Sequence, residues 1–223
     1  MKIHSGCDRS VIHALLFAVP LLWEMSVVRF GSNSKSGCKN MIRRMAQLCD
    51  EGLIKRHTAC AQVAAEVELF YFWAPQMRAP DFGARGWALS RLWEKLEPRP
   101  IAFYCATDLA ARHFGCWIRN PLKITALSHN IGLGQLYTYH KEHYPLLIRG
   151  WVSEEVIADA RGYGEKVVDA CIVDSTSTPA LALEFAGASY GASNGQRLKE
   201  IHLDCARRNL PYEIWTIAEG ETR

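Results

Sequence analysis

The chain has 223 residues, of which 49% are hydrophobic and 22% charged, and it carries a formal net charge of +3. That length holds one large core or two small ones, and the apolar fraction excludes a disordered tail or a repeat array. So mild a positive balance excludes a uniformly basic protein, and any basic surface has to be local.

Asp8 or Ser10 is placed to cap a first helix starting near Val11, with Val11, Leu15 and Leu16 on one side. Pro20 suits the first turn of a second helix running through Leu21, Leu22, Met25 and Val28. The whole stretch from Val11 to Val28 is apolar enough to suggest an export signal or an anchor. His13, Pro20 and Glu24 interrupt it, however, and a carboxylate near a bilayer centre is costly. A soluble, cytoplasmic chain with no membrane partner is expected. The eight cysteines, at positions 7, 38, 49, 60, 105, 116, 171 and 205, form no CxxC pair and no zinc-type cluster, which fits free thiols in a reducing compartment.

A third helix is predicted from about Ser36 to Glu51, closed by Gly52 in the position where a left-handed residue is needed. Cys38, Met41, Ile42, Met45, Leu48 and Cys49 form its apolar side. Lys35 stands just before it, and Lys39, Asn40, Arg43, Arg44 and Gln47 occupy the remainder. Long basic and amide side chains are what a helix in a major groove uses against phosphates and base edges. Two strand-like runs follow, Leu53 to His57 with Lys55 and Arg56, and Val67 to Trp73. Two helices, a basic helix and a β-hairpin make the order of a winged helix-turn-helix, so duplex DNA is the expected partner. The competing reading is a solvated basic helix beside an unrelated hairpin. The hairpin is the weaker element, since Thr58 to Glu66 lacks the usual Gly or Asn turn.

Pro75, Pro80, Gly83 and Gly86 mark a connecting loop, and Trp87 to Leu96 reads as a short helix. A strand over IAFYCA leads into a helix capped by Thr107 and closed at Gly115, and Asn120-Pro121 breaks the pattern again. This organisation gives a first domain over 1–78, a connecting helical segment over 79–121 and an α/β domain over 122–223. The last part is predicted as a helix near Ala126 to Glu142, strands near Leu147 to Trp151, Lys166 to Val173 and Ala180 to Phe185, a helix from Arg197 to Arg208, and a strand from Tyr212 to Ile217. Asp169 and Glu184 lie inside apolar strands, where a lone carboxylate is expensive to bury. If they converge on one edge of the sheet they offer hard oxygen ligands for Mg²⁺ or Mn²⁺, and such an ion activates water against a phosphodiester. The plain alternative is that each faces solvent. His140 with His143 fits a solvated helix end, Gly132 with Gly134 is a weak phosphate-loop signal, and Gly187 to Gly195 reads as a loop.

With NMIRRMAQLCDEGLIKR, PDFGARGWALSRLW and ATDLAARHFG in that order, then ALSHNIGLGQLY, GWVSEEVI, KVVDACIV, LALEF and YEIW, nearly the whole chain resembles the replication-relaxation proteins of plasmids, phages and integrative elements. The resemblance implies an α/β (α+β) fold in which a winged helix precedes a restriction-endonuclease-like, mixed-sheet domain. It makes Asp169 the strand aspartate, Glu184 the acid on the next strand, Glu154 or Glu155 an upstream acid and His129 a histidine of the domain's first helix. Val168 stands where the superfamily has proline, and Ala186 where a catalytic lysine or second acid is expected. Lys199 on the following helix is the candidate substitute. The implied function is DNA binding in replication, mobilisation or their regulation, as monomer or homodimer. A metal-dependent endonuclease and a non-enzymatic assembly module stay open as alternatives.

Overall fold

The computed structural model describes residues 6–31, 35–116, 124–161, 168–188 and 193–219. Among these residues the fold is α+β, with one three-stranded and one five-stranded sheet. Two compact units divide it, and each is assembled from separated stretches of chain. One comprises 1–61 with 99–138, the other 62–98 with 139–223. The consecutive division expected at 78 and 121 is therefore replaced by an interleaved one, because long-range strand pairing joins segments that lie far apart in sequence.

In the first unit, α1 (Gly6–His13) runs into a π-helical turn over Ala14–Ala18, and a two-residue strand β1 (Leu22–Trp23) precedes α2 (Glu24–Gly31). Pro20 thus lies ahead of β1, and the second helix begins at Glu24. A strand of two residues leaves too little pattern to be read from sequence. Next comes α3 (Lys35–Asp50), which packs against α2 and against strand β2 (Ile54–Ala61). Its end is set by Gly52, whose φ of +72° puts it in the left-handed region. Gly52 N–H donates to the Cys49 carbonyl at 2.9 Å and Leu53 N–H to that of Leu48 at 3.0 Å, a paired cap that only glycine enters without strain.

The partner of β2 is β4 (Arg99–Ala106), antiparallel from Ile54↔Ala106 to Ala61↔Arg99, with β1 on the other side of β4. The run Val67–Trp73, expected as the second hairpin strand, is β3 and belongs to the other unit. Thr107 caps α5 (Asp108–His113), and its hydroxyl also donates to the Gly52 carbonyl at 2.6 Å, tying this turn to the α3 cap. Among the described residues no helix is long and apolar enough to cross a membrane.

In the second unit the strand order is β3-β8-β7-β6-β5. Strands β5 (Trp151–Ser153), β6 (Ala170–Val173) and β7 (Pro179–Phe185) form an antiparallel meander. β8 (Tyr212–Ile217) lies parallel to β7, and β3 closes the far edge antiparallel to β8. The strand expected from Leu147 starts only at Trp151, since Leu147–Gly150 is a 3₁₀ turn. Helix α6 (Leu127–His143) belongs to the first unit through Thr138 and to the second from Tyr139. Helix α7 (Glu154–Arg161) follows β5, and α8 (Asn194–Arg207) links β7 to β8.

Helix α4 (Phe82–Glu94), capped by the Asp81 carboxylate on Ala84 N–H, packs on α8. The crossing is close because glycines meet there: a Cβ on Gly86 would lie 2.4 Å from the Gly195 nitrogen. Leu89, Leu198, Ile201 and Cys205 from these helices join Trp73, Cys171, Ala182, Tyr212 and Ile214 of the sheet in one core. His202 is buried in it, its Nδ1 3.2 Å from the Tyr212 hydroxyl and its ring edge-on to Trp73.

Two outcomes follow. Gly86→Ala forces backbone apart and should cost about 1–3 kcal/mol or more in urea denaturation, whereas exposed Gly83→Ala should be neutral or mildly stabilising. Burial lowers the pKa of His202, so the folded state resists a proton that the unfolded chain accepts as pH falls through about 6.5. Stability is then full above that pH and declines below it. His202→Gln should flatten the fall in melting temperature between about pH 7 and pH 5.

Candidate functional site

Two places carry the chemistry singled out by the sequence: the outward side of α3 with β2 in the first unit, and the Asp169–Glu184 pair in the second. On α3, Met41, Met45 and Leu48 are buried, while Lys39, Asn40, Arg43 and Gln47 are exposed. At helical spacing, Ser36, Lys39, Asn40, Arg43 and Gln47 fall along one stripe, which also takes in Asp50 at its end. Lys35 opens the helix, but its side chain lies outside the described residues. Lys55 is exposed on β2.

Arg44 is different. Its guanidinium grips the Asp8 carboxylate through two bonds of 2.9 Å, and Asp8 has no exposed surface at all. The same group donates to Gln47 Oε1 at 2.8 Å. Pairing with Asp8 pushes the Arg44 pKa up, which fixes its charge. Expected to reach DNA, Arg44 instead ties α3 to α1.

Arg56 is also committed, to Glu24 at the start of α2, at 3.0 and 3.2 Å. The Tyr104 hydroxyl donates to the same carboxylate at 2.8 Å. The Arg56 bond, helped by Tyr104, lowers the Glu24 pKa, and burial together with the acceptor carboxylate raises that of Tyr104. This triad joins α2, β2 and β4. Of the expected DNA contacts among the described side chains, Lys39, Asn40, Arg43 and Lys55 are left facing outward.

In the second unit the sheet brings the two strand acids together. Ala170 pairs with Leu183, so Asp169 and Glu184 are the next cross-strand positions. Both are buried, at 5% and 1% exposure. Asp169 N–H donates to Glu184 Oε2 at 3.2 Å, and Phe185 N–H donates to Asp169 Oδ2 at 2.7 Å. Arg197 of α8 closes the arrangement with two bonds to Glu184 Oε1, at 3.1 and 2.9 Å.

Lys199, the candidate substitute for the missing lysine, is exposed on α8, and Arg197 two residues earlier is the cation that arrives. Arg197 could have been found by asking which basic residue, one turn into the helix after the acid-bearing strand, points back toward it. Glu155 is half-buried in the first turn of α7, and Glu154 meets the pair through its backbone, its N–H donating to the Asp169 carbonyl at 2.9 Å. His129 lies in the part of α6 that belongs to the first unit. Ala186 is buried, and its carbonyl accepts from the Trp93 indole at 2.9 Å and from the Thr216 hydroxyl at 3.1 Å.

These residues do not fit Mg²⁺ or Mn²⁺ as they stand. Such ions want several oxygen ligands and keep bound waters, but here a guanidinium and two backbone N–H groups already hold the carboxylates, and the pair is closed to solvent. Among the described residues no group of three or more His, Cys, Asp or Glu side chains is placed to hold an ion. The chain matches no protein-family model, no curated protein and no solved structure.

Arg44→Ala leaves Asp8 charged and buried, and should cost about 3–5 kcal/mol in urea denaturation. Arg43→Ala, one residue earlier but exposed, should stay within about 0.5 kcal/mol of the parent.

Proposed function

We propose that this chain is a DNA-binding protein whose first unit lays the outward side of α3 against duplex DNA, with β2 beside the backbone. The observation that carries the reading is the stripe Lys39, Asn40, Arg43 and Gln47, opposite a buried apolar side of the same helix. Cations on a helix held rigid from behind meet phosphates at little entropic cost, and amides among them reach base edges. The order helix, strand, helix, helix, strand, strand, with sheet order β1-β4-β2, supports a winged helix-turn-helix in which β2 and β4 form the ribbon. Lys55 on that ribbon is the natural second phosphate contact.

The second unit is the nuclease-like framework in this reading. Three antiparallel strands with α7 between the first two, then a helix and a parallel fourth strand, with Asp169 just ahead of the second strand and Glu184 on the third, support the restriction-endonuclease-like resemblance. Ala186 and the Arg197 contact favour a framework that binds or positions without cutting. Replication, mobilisation or its regulation in a mobile element is the role the resemblance adds.

Fluorescence anisotropy with a labelled duplex, over a salt series, tests the assignment. Affinity should fall linearly on a log–log plot, and Lys39→Ala, Arg43→Ala and Lys55→Ala should each lower the slope by roughly one. Unchanged affinity and slope in Lys39→Ala/Arg43→Ala would sink it. A stable oligomer without duplex affinity at low salt would favour the assembly module instead.

A further inference from the structure

The pairing of Asp169 and Glu184 with Arg197 has a consequence independent of how the first unit is used. Two carboxylates at neighbouring cross-strand positions, both removed from water, cannot share a dry site without a compensating positive charge. In an acid pair of the kind the sequence suggested, that charge would come from a divalent ion and a lysine. Here neither is needed. Arg197 supplies a permanent cation and two N–H bonds to Glu184 Oε1, from a helix that the Gly86–Gly195 contact holds firmly beside α4. The remaining contacts given above come from the backbone N–H groups of Asp169, just ahead of β6, and of Phe185 on β7.

We propose that Arg197 is the resident counter-cation of the Asp169–Glu184 pair, so that the pair joins two strands to α8 in place of a metal ion, and that removing this guanidinium alone turns the pair into a divalent-cation site. Guanidinium suits the task because it stays charged when desolvated and presents parallel donors. Once it is gone, the Glu184 carboxylate faces the space it filled, with Asp169 at the neighbouring cross-strand position, and buried hard oxygen donors there must take up either a proton or an ion. Ala186 leaves the position between strand and helix without a competing lysine.

The parent chain, Asp169→Asn, Arg197→Gln, Arg197→Lys and Arg197→Gln/Asp169→Asn are titrated with MnCl₂, with unbound Mn²⁺ followed by electron paramagnetic resonance and each protein melted with and without the ion. The parent should bind no Mn²⁺ that depends on Asp169, and its melting temperature should ignore the ion. Arg197→Gln should melt roughly 10 °C lower, take up about one Mn²⁺ per chain, and recover part of the loss when the ion is present. Arg197→Lys should restore stability without gaining the ion, and the Asp169→Asn double variant should lose Mn²⁺ uptake.

Mn²⁺ uptake by the parent that Asp169→Asn abolishes would overturn the proposal, as would an Arg197→Gln protein that melts like the parent or takes up no ion. Should Arg197→Gln fail to fold, Arg197→Gln/Glu184→Gln is melted instead. Recovery of folding there supports an uncompensated carboxylate as the fault, and no improvement overturns it.

Discussion

Asp8, Asp169 and Glu184 are all but withdrawn from water, and a carboxylate in that situation has to be met by donors or a cation. Most of what distinguishes this chain from its sequence pattern follows from that requirement. Asp8 takes Arg44 out of the basic side of α3, and Glu184 takes Arg197 from the helix that follows it. The half-exposed Glu24 does the same to Arg56 with less force. Each acid thereby fixes a neighbouring element and also decides which positive charges are left for a partner. The surface charge available to a polyanion is what remains after the interior has been neutralised.

The two sites differ in how that balance falls. In the first unit the tethers Arg44–Asp8 and Arg56–Glu24 lie at either end of the α3–β2 connection. They orient the helix while Lys39, Asn40 and Arg43 stay solvated. In the second unit the acids meet the Arg197 guanidinium and backbone N–H groups of the sheet. One site presents charge outward, and the other keeps its charges buried.

Much of this was legible in the sequence where periodicity and caps speak. Helix α3 with Gly52 behind it, Thr107 at the head of α5, and the runs that became β3, β6, β7 and β8 all follow from local pattern. The adjacency of Asp169 and Glu184 was also an inference from strand order. What escaped was long-range. Nothing local marks Ile54–Ala61 as the partner of Arg99–Ala106, because antiparallel pairing over such a gap depends on the register of both strands and not on a turn. The choice between Arg43 and Arg44 could not be read either. Adjacent arginines on a helix differ by 100° of rotation, and only the place of Asp8 says which one faces inward. Likewise Lys199 and Arg197 are equally basic on paper, and the direction of α8 separates them.

The pairing of Ala61 with Arg99 and of Val67 with Ile217 also sets a timetable for synthesis. Strand β4 must emerge before β2 has a partner, and the first unit is not fully translated until Thr138. The apolar run Val67–Trp73 has to wait for β8. Until residue 217 has left the ribosome, this segment carries unmet backbone donors and acceptors beside exposed aromatic rings. Such a nascent edge invites pairing with other chains. The distance in sequence between Val67 and Ile217 makes β8 the strand that first gives this segment a partner.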